Sequence, residues 1–293
     1  MLVEQGTISN ILLHPFTGAR GIELEQAKLS SDGLYNRVQD RGRLLYDPAS
    51  KMRVSSKPNQ APELVRVALS ESNVVSLFGM DGMTVEGEFT LGLPDDEPIT
   101  LLEFPDKDGT NADEIDCYDY GDDIAQIFSD FINARRPREK WVNVRLALKD
   151  LTSHNREPYE RRNAPVHVIA LSTITHLAEI SGETIESIIR RYRPTLIIGD
   201  DVNSNKGGFP ERQWKEIVFE SGSKILLPRE TVRCGVPPMH PFNGSISPAV
   251  RGAQQQAPSP SGGRQKLIGR YGYLSGRSLT ISADPPQPVV ISK

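Results

Sequence analysis

The sequence predicts an α+β fold that is rich in β-strands, and three observations support this prediction. First, 22 prolines and 24 glycines are spread over 293 residues, which favours many short strands joined by turns over a helical bundle. Second, short apolar segments recur with turn residues between them, as at 64–69, 74–78 and 83–89. Third, few stretches have helical periodicity, so helices should be a minority.

The first hundred residues read mainly as strands. Residues 6–15 alternate well enough for a strand that ends at Pro15, and a second short strand is expected at 44–46. Residues 64–69, 74–78 and 83–89 predict an antiparallel meander, followed by a strand at 100–104. Residues 106–123 are strongly acidic, but their carboxylates lack the order of a calcium loop. We therefore expect a solvated loop there.

The clearest helix is predicted at 122–133, where one apolar stripe is formed by Ile124, Ile127, Phe128, Phe131 and Ile132. An alternating strand at 142–148 and an exposed loop at 153–163 should follow. The chain length suits two packed domains, which we place at 1–140, rich in β-strands, and at 141–293.

The remaining chain alternates between strands and helices. We expect an extended segment at 165–170, a helix capped by Ser172 or Thr173, and a second helix capped by Thr184. A buried strand is predicted at 196–198, and closing strands at 279–281 and 289–291. Residues 254–265 offer no large apolar side chain, so 254–263 is predicted to be a flexible loop outside the core.

Composition limits the classes of partner. The formal net charge is −4 and the pI about 5.8, so no overall field favours nucleic acid or an anionic membrane. No apolar stretch approaches the roughly 20 residues of a membrane span. With two cysteines and no pattern of a secretory leader, we expect a reducing, cytoplasmic location.

Two kinds of residue stand out as candidates for chemistry. Arginines cluster at Arg190, Arg191 and Arg193, and Cys234 follows about forty residues later. Guanidinium forks bind phosphate, and a thiolate binds a soft metal. Packing alone remains an alternative for Cys234, because a free cysteine is more often a small buried hydrophobe. Acidic neighbours should raise the pKa of the Cys117 thiol.

Several segments together resemble one protein family. They are L-L-H-P-F-T-G-A-R-G at 12–21, D-R at 40–41, C-Y-D-Y-G-D-D at 117–123, A-P-V-H-V-I-A-L-S-T-I-T-H-L at 164–177, Y-R-P-T-L-I-I-G at 192–199, W-K-E-I at 214–217, and V-R-C followed by H-P-F-N-G at 232–244. Their order and spacing resemble the MOSC family, named after the C-terminal domain of molybdenum cofactor sulfurases. The resemblance is strongest to the mitochondrial amidoxime-reducing component and its bacterial relatives.

The resemblance implies a MOSC-type β-barrel packed on an N-terminal β-rich domain, with a molybdenum cofactor (molybdopterin) bound between them. By position, Arg41 and Arg193 match the family's grip on this cofactor, and Cys234 matches the catalytic thiolate that binds molybdenum. Thr17 and Thr195 stand at two further cofactor-binding positions, where the family has lysine and asparagine. Gly18, Val232 and His240 are other departures from the family pattern.

The function implied by this resemblance is a molybdenum-dependent oxidoreductase that reduces N-oxygenated small molecules. Its electrons would come from a separate haem or flavin protein, since the sequence carries no motif for a second redox cofactor. Two alternatives stay open. Cys234 could carry a persulfide in sulfur transfer, or the chain could be a scaffold that has lost the cofactor.

Overall fold

The structure, a computed structural model of the chain, describes residues 3–57, 60–103, 113–153, 165–200, 209–233, 237–241, 244–259 and 266–293. The strands are β1 (Val3–Leu13), β2 (Ile22–Leu24), β3 (Gln26–Ser30), β4 (Gly33–Asn36), β5 (Val38–Gln39), β6 (Arg43–Asp47), β7 (Met52–Val54), β8 (Val67–Leu69), β9 (Val74–Phe78), β10 (Val85–Thr90), β11 (Pro98–Glu103), β12 (Asp113–Asp119), β13 (Arg145–Lys149), β14 (Val166–Ala170), β15 (Leu196–Gly199), β16 (Glu216–Val218), β17 (Lys224–Arg233), β18 (Lys266–Ser275), β19 (Leu279–Ser282) and β20 (Pro288–Ser292). The helices are α1 (Asp122–Asn133), α2 (Leu171–Ser181), α3 (Ile185–Tyr192) and α4 (Pro248–Gln256).

The largest sheet contains eight strands in the order β15-β14-β18-β17-β16-β20-β1-β2. An additional pairing of β1 with β15 closes seven of these strands into a ring. β1 achieves this by pairing with β20 through its first residues and with β15 through its later ones. The apolar faces of these strands form one buried cluster that includes Ile8, Val168, Ile198 and Trp214.

A second, closed barrel has the order β11-β12-β13-β6-β7, and a three-stranded sheet, β10-β9-β8, accompanies it. The β-rich class of the fold, its barrel character and the predicted meander are therefore confirmed. Both barrels take strands from both sides of residue 140, because β13 pairs with β6 and β1 pairs with β15. The division into domains at 1–140 and 141–293 stays a prediction.

Helix α1 matches the predicted helix. Its buried residues include Phe128 and Ile132, which pack into the core cluster around Leu64 and Phe16. Thr184 caps α3 as predicted, accepting a hydrogen bond from the amide of Ser187. Among the helices in the described part of the chain, none combines the length and the apolar character that crossing a bilayer requires.

Two predicted loops are wrong in their described parts. Asp113–Asp119 is the strand β12, in which Ile115 and Cys117 alternate inward with acidic residues between them. Pro248–Gln256 is the helix α4, and it buries Val250, Ala253 and Gln254, while Ala257 is also buried. Burial against α2 outweighs the polar composition of this segment. Residues 104–112, 154–164 and 260–265 lie outside the described residues.

Candidate functional site

Arg41 is placed by a tight turn that is bonded to β1. The residue has a left-handed backbone (φ +50°), which is uncommon for a side chain of this size. Its amide donates to the carbonyl of His14 at 2.6 Å, and the buried Asp40 carboxylate accepts from the amide of His14 at 2.6 Å. The other oxygen of Asp40 accepts from Arg41 Nη1 at 2.7 Å. The turn therefore fixes the Arg41 side chain from both ends.

Arg193 is placed by the end of helix α3, and it too has a left-handed backbone (φ +53°). Its carbonyl lies 3.2 Å from Nδ1 of the buried His167 and accepts from Arg41 Nη2 at 3.4 Å. The next carbonyl, of Pro194, lies 3.1 Å from Nε2 of His14. Non-glycine residues keep such backbone conformations only when their surroundings enforce them. Here two histidines and Arg41 do so.

The bonding of His14 determines its protonation. The Pro194 carbonyl can only accept, so Nε2 of His14 carries a proton. In the neutral ring, Nδ1 then has a lone pair and no proton. Nδ1 is buried and has no hydrogen-bond partner among the described residues. Burial lowers the pKa of His14 well below its usual value, and the charges of Arg193 and Arg41 lower it further. His14 is therefore a neutral support beside two cations.

The two predicted threonines have different surroundings. Thr195 is fully buried, and its hydroxyl accepts from the amide of His167 at 3.1 Å and lies 3.2 Å from Arg41 Nη1. Its visible role is to hold Arg41, and direct contact with a ligand stays a prediction. The Thr17 hydroxyl is buried and has no hydrogen-bond partner within the described residues. Thr17 is therefore the one of these two threonines whose hydroxyl makes no hydrogen bond within the described residues.

Arg53 on β7 is a third cation of this region, and the sequence did not single it out. It lies 3.6 Å from Glu103, whose carboxylate also accepts from Lys149 Nζ at 2.7 Å. Burial lowers the pKa of Arg53, and the Arg41 charge adds to this shift. One arginine on a three-residue strand gives no sequence signal, because only the barrel brings it near Arg41. We call Arg41, Arg53 and Arg193 the arginine cluster.

Within the arginine cluster, Arg41 pairs with Asp40 and Arg53 lies near Glu103, but Arg193 has no carboxylate partner among the described residues. Burial lowers the pKa of Arg193 to about 9, and the like charge of Arg41 is the next cause. Arg193 still carries its charge at pH 7, because a pKa of about 9 lies well above 7, and both burial and Arg41 act against that charge. Within the described residues its hydrogen bond is to the carbonyl of Phe16 at 3.4 Å, and no ion pair is recorded for it. An anion placed here would favour the charged form.

The other two arginines of the segment 190–193 have different contacts and roles. Arg191 is buried, donates to the carbonyls of Pro238 and Met239, and pairs with Glu183 at 2.8 Å. It is a structural residue. Arg190 is 41 % exposed and pairs with Glu186. The structure therefore brings Arg193 together with Arg41 and separates the roles of Arg190 and Arg191 from theirs.

The cysteines can be compared only in part. Cys234 lies outside the described residues, so its role as a metal ligand stays a prediction. Cys117 is fully buried on β12, and burial raises the pKa of its thiol to about 12, with Lys149 opposing the shift. The predicted direction is confirmed, but burial outweighs the acidic neighbours as its cause. Within the described ranges, no group of three or more His, Cys, Asp or Glu is placed to hold a metal.

Comparison with known proteins adds little to this geometry. No protein-family model matches the chain, and no curated protein matches it. Among solved structures, the chain is similar to the crystal structure of the YuaD protein from Bacillus subtilis, with 8% sequence identity and a TM-score of 0.41. That match covers 100% of this chain and 98% of the other.

Proposed function

We propose that this chain is a molybdenum-cofactor-binding oxidoreductase that reduces N-oxygenated small molecules, and that the arginine cluster holds the phosphate of the cofactor. One observation carries the proposal. Arg41 and Arg193, matched to a cofactor grip by sequence position alone, lie in one hydrogen-bond network, with Arg41 Nη2 3.4 Å from the Arg193 carbonyl. They are 152 positions apart in the chain.

The donors of the site fit the phosphate end of such a cofactor. Guanidinium forks bind phosphate oxygens through paired, charge-assisted hydrogen bonds and keep their charge when partly buried. Arg41 is 19 % exposed and so accessible to a ligand, and Arg193 carries unbalanced charge. The unpartnered hydroxyl of Thr17 offers one further donor beside Phe16, whose carbonyl Arg193 contacts.

Each residue has a defined task in this proposal. Arg193 and Arg41 neutralise the phosphate, and Asp40 orients Arg41 through its 2.7 Å bond. His14, which is neutral, and His167 hold the Arg193–Pro194 turn by its carbonyls. Arg53 adds positive potential. When bound, the cofactor would supply two-electron chemistry at molybdenum, and Cys234 is the thiolate proposed to hold the metal. A separate haem or flavin protein would supply the electrons.

Metal analysis tests the proposal directly. Protein purified from cells that make the cofactor should contain molybdenum in stoichiometric amount, and it should reduce an amidoxime when reduced methyl viologen supplies electrons. Arg193→Gln should lose most of the molybdenum while remaining folded. Arg37→Gln is the matched control, since Arg37 is an exposed arginine with the same left-handed backbone (φ +55°). Equal molybdenum in both variants would contradict the proposed grip.

Cys234 separates the oxidoreductase from the two alternatives. Cys234→Ser should abolish the molybdenum content and leave the fold intact, and a thiol reagent should modify Cys234 before Cys117. Sulfur released by cyanide from Cys234, in protein without molybdenum, would instead favour a persulfide carrier. Absence of both metal and labile sulfur would favour a scaffold that has lost its cofactor.

A further inference from the structure

A cavity of about 550 Å³ lies beside the arginine cluster. It is bounded by β1 and the turn at 18–21 on one side and by helix α3 on another, with Val65 and Ala68 contributing from a third segment. His14 and Arg193 line it, but Arg41 and Arg53 do not. The cavity therefore adjoins the proposed cofactor site and shares Arg193 with it.

Most of the cavity wall is apolar. Its lining includes Leu12, Ala19, Val65, Ala68, Ile185, Ile189 and Met239. Ile185 is 44 % exposed, although it stands on a helix whose opposite face is buried. Volumes of roughly 300–1,000 Å³, mainly apolar walls and a few polar groups are the usual properties of sites for small organic molecules. The apolar body of such a ligand would replace water along this wall.

The charged groups of the cavity are of two kinds. Arg20 is a fixed cation in the wall, since Nε and Nη1 donate to the carbonyls of Val65 and Gly82 at 3.2 and 2.9 Å and its guanidinium stacks on Phe78 at 4.0 Å. Arg190 is an exposed cation at the edge. Its pair with Glu186 is exposed and therefore contributes little to stability.

The acidic residues of the lining are already engaged. Glu186 pairs with Arg190, and Glu23 accepts from the Asn10 side-chain amide at 2.5 Å. The cations dominate: burial lowers the pKa of Arg20 to about 10, and Arg190 is the largest charged neighbour acting on it. Asp81 opposes this shift only in part. The field in the cavity therefore favours an anion over a cation.

We propose that this cavity binds a small organic anion with an apolar body, such as an aromatic or medium-chain carboxylate or sulfonate. The anionic head would contact Arg190 in the field of Arg20, and the body would lie along Val65, Ala68 and Ile189. This inference uses Arg190 and Arg20 as its charged groups, whereas the cofactor proposal uses Arg41, Arg53 and Arg193, of which only Arg193 also lines the cavity.

Two fluorescent probes of matched shape test the proposal. The probe 8-anilinonaphthalene-1-sulfonate carries the anionic head, and N-phenyl-1-naphthylamine has the same rings without it. Titration of the full chain should show a single saturable site for the sulfonate, with affinity about tenfold higher than for the neutral probe, as expected when a charge-assisted bond is added. Octanoate should displace the sulfonate, whereas octanol at the same concentration should displace it less.

Three variants locate the site. Arg190→Gln should weaken sulfonate binding by about five- to tenfold and leave the neutral probe unchanged. Arg251→Gln removes an exposed arginine from helix α4 instead, and it should change neither probe. Ala68→Trp should fill the cavity and abolish binding of both probes, with circular dichroism and thermal melting used to check the fold.

Two results would overturn the proposal. One is equal weakening of sulfonate binding by Arg190→Gln and Arg251→Gln, which would show a nonspecific surface effect. The other is unchanged binding in folded Ala68→Trp. If Ala68→Trp does not fold, the comparison of the two arginine variants still decides the outcome, because both positions are exposed. Loss of molybdenum binding in Arg193→Gln bears on the cofactor proposal alone.

Discussion

Two charge clusters of this chain differ in how many partners surround a buried charged side chain, Asp119 in one and Arg193 in the other. In the five-stranded barrel, the Asp119 carboxylate accepts from Arg145 at 2.6 and 2.9 Å, from the Tyr46 hydroxyl at 2.5 Å and from the amide of Gly121. In the arginine cluster, Arg193 has a weak bond to one carbonyl and like charges nearby. In the first cluster the buried carboxylate has a full set of donors, whereas Arg193 in the second has no carboxylate partner within the described residues.

The pKa values express the same difference. Burial alone would raise the pKa of Asp119, but the hydrogen bonds from Arg145 and Tyr46 outweigh it and hold the pKa below its usual value. The pKa of Arg145 is raised by those same bonds to Asp119 and Asp122. Both partners thus favour their charged forms. In the arginine cluster, burial and Arg41 act against the charged form of Arg193. We therefore expect the hydrogen-bonded Asp119–Arg145 pair to stabilise the fold, and the poorly compensated Arg193 to serve in binding.

The largest expected effect is a loss of stability when the Asp119–Arg145 pair is broken. Asp119→Asn leaves Arg145 without its main partner, so it should lower the free energy of unfolding by about 3 kcal/mol, as loss of one member of a buried pair usually does. Asp122→Asn removes the second carboxylate that pairs with Arg145. The Asp122 side chain is 91 % exposed, so this change should cost less than about 0.5 kcal/mol. Urea denaturation measures both. Similar losses would mean that the Asp119 cluster adds no more than a surface pair.

The next effect depends on pH and concerns a strained negative charge. Burial raises the pKa of Glu211 from 4.5 to about 7, although Thr173 and the amide of Gly269 bond to its carboxylate. A raised carboxyl pKa means that the folded state holds the proton more tightly. The resulting stability is complete below pH 4.5 and is lost as the pH rises through 7.

The expected loss is about 3 kcal/mol between pH 4.5 and 7.5, by the conversion of roughly 1.36 kcal/mol per pH unit. Glu211→Gln should remove most of this slope in urea denaturation measured across the range. Glu220→Gln, at an exposed position, should keep it. A wild-type slope in Glu211→Gln would show that another group titrates.

The third prediction tests the support beneath the arginine cluster. Gly21 packs directly on the His14 ring, and a Cβ at this position would lie 2.5 Å from Cε1. Gly21→Ala should therefore displace His14 and cost about 1–3 kcal/mol of stability, as overpacking does. It should also weaken phosphate binding measured by calorimetry, because His14 holds the Pro194 carbonyl.

Gly252 provides the matched control for Gly21. It lies in α4 with nothing within 4 Å of an added Cβ, so Gly252→Ala should leave stability unchanged or raise it by about 0.5–1 kcal/mol. Reduced phosphate binding in Gly252→Ala, or normal binding in Gly21→Ala, would separate His14 from the site.

The smallest effect on stability is expected at Arg193. Arg193→Gln removes a strained charge, so it should change the free energy of unfolding by less than about 1 kcal/mol while reducing phosphate affinity. Arg191→Gln, two positions earlier, should cost about 2–4 kcal/mol, because it leaves buried carbonyls and Glu183 without their donor. If both arginines cost the same, the distinction between satisfied and strained charge fails in this chain.

Local periodicity predicted much of the fold. The apolar stripe of α1 gave its boundaries, and the cap at Thr184 gave the start of α3. Composition misled at β12, where Asp113 and Asp119 are buried, and at α4, where Val250 precedes the polar segment and Ala257 packs after it. Acidic or glutamine-rich composition reports solvent exposure only when no other element covers the segment.

The candidate site could be predicted only in part, for a physical reason. Arg41 and Arg193 lie within short motifs, D-R and Y-R-P-T, so the family resemblance pointed to both. Arg53 becomes a neighbour only through the pairing of β7 with β6 and β11, which no local pattern encodes. The support by His14 and His167 likewise depends on the ring that brings β1, β14 and β15 together.

The position of β1 has a consequence for biosynthesis. β1 occupies Val3–Leu13, but its partner β20 begins at Pro288, so the ribosome must add about 275 residues before this edge can be paired. At roughly 5–20 residues per second, that takes on the order of 15–55 s. During this interval the first residues of β1, Val3–Thr7, lack the strand that pairs with them, whereas Ile11 and Leu13 already have β2 beside them. Translation speed and chaperone supply should therefore set the yield of folded protein more than the stability of the finished barrel does.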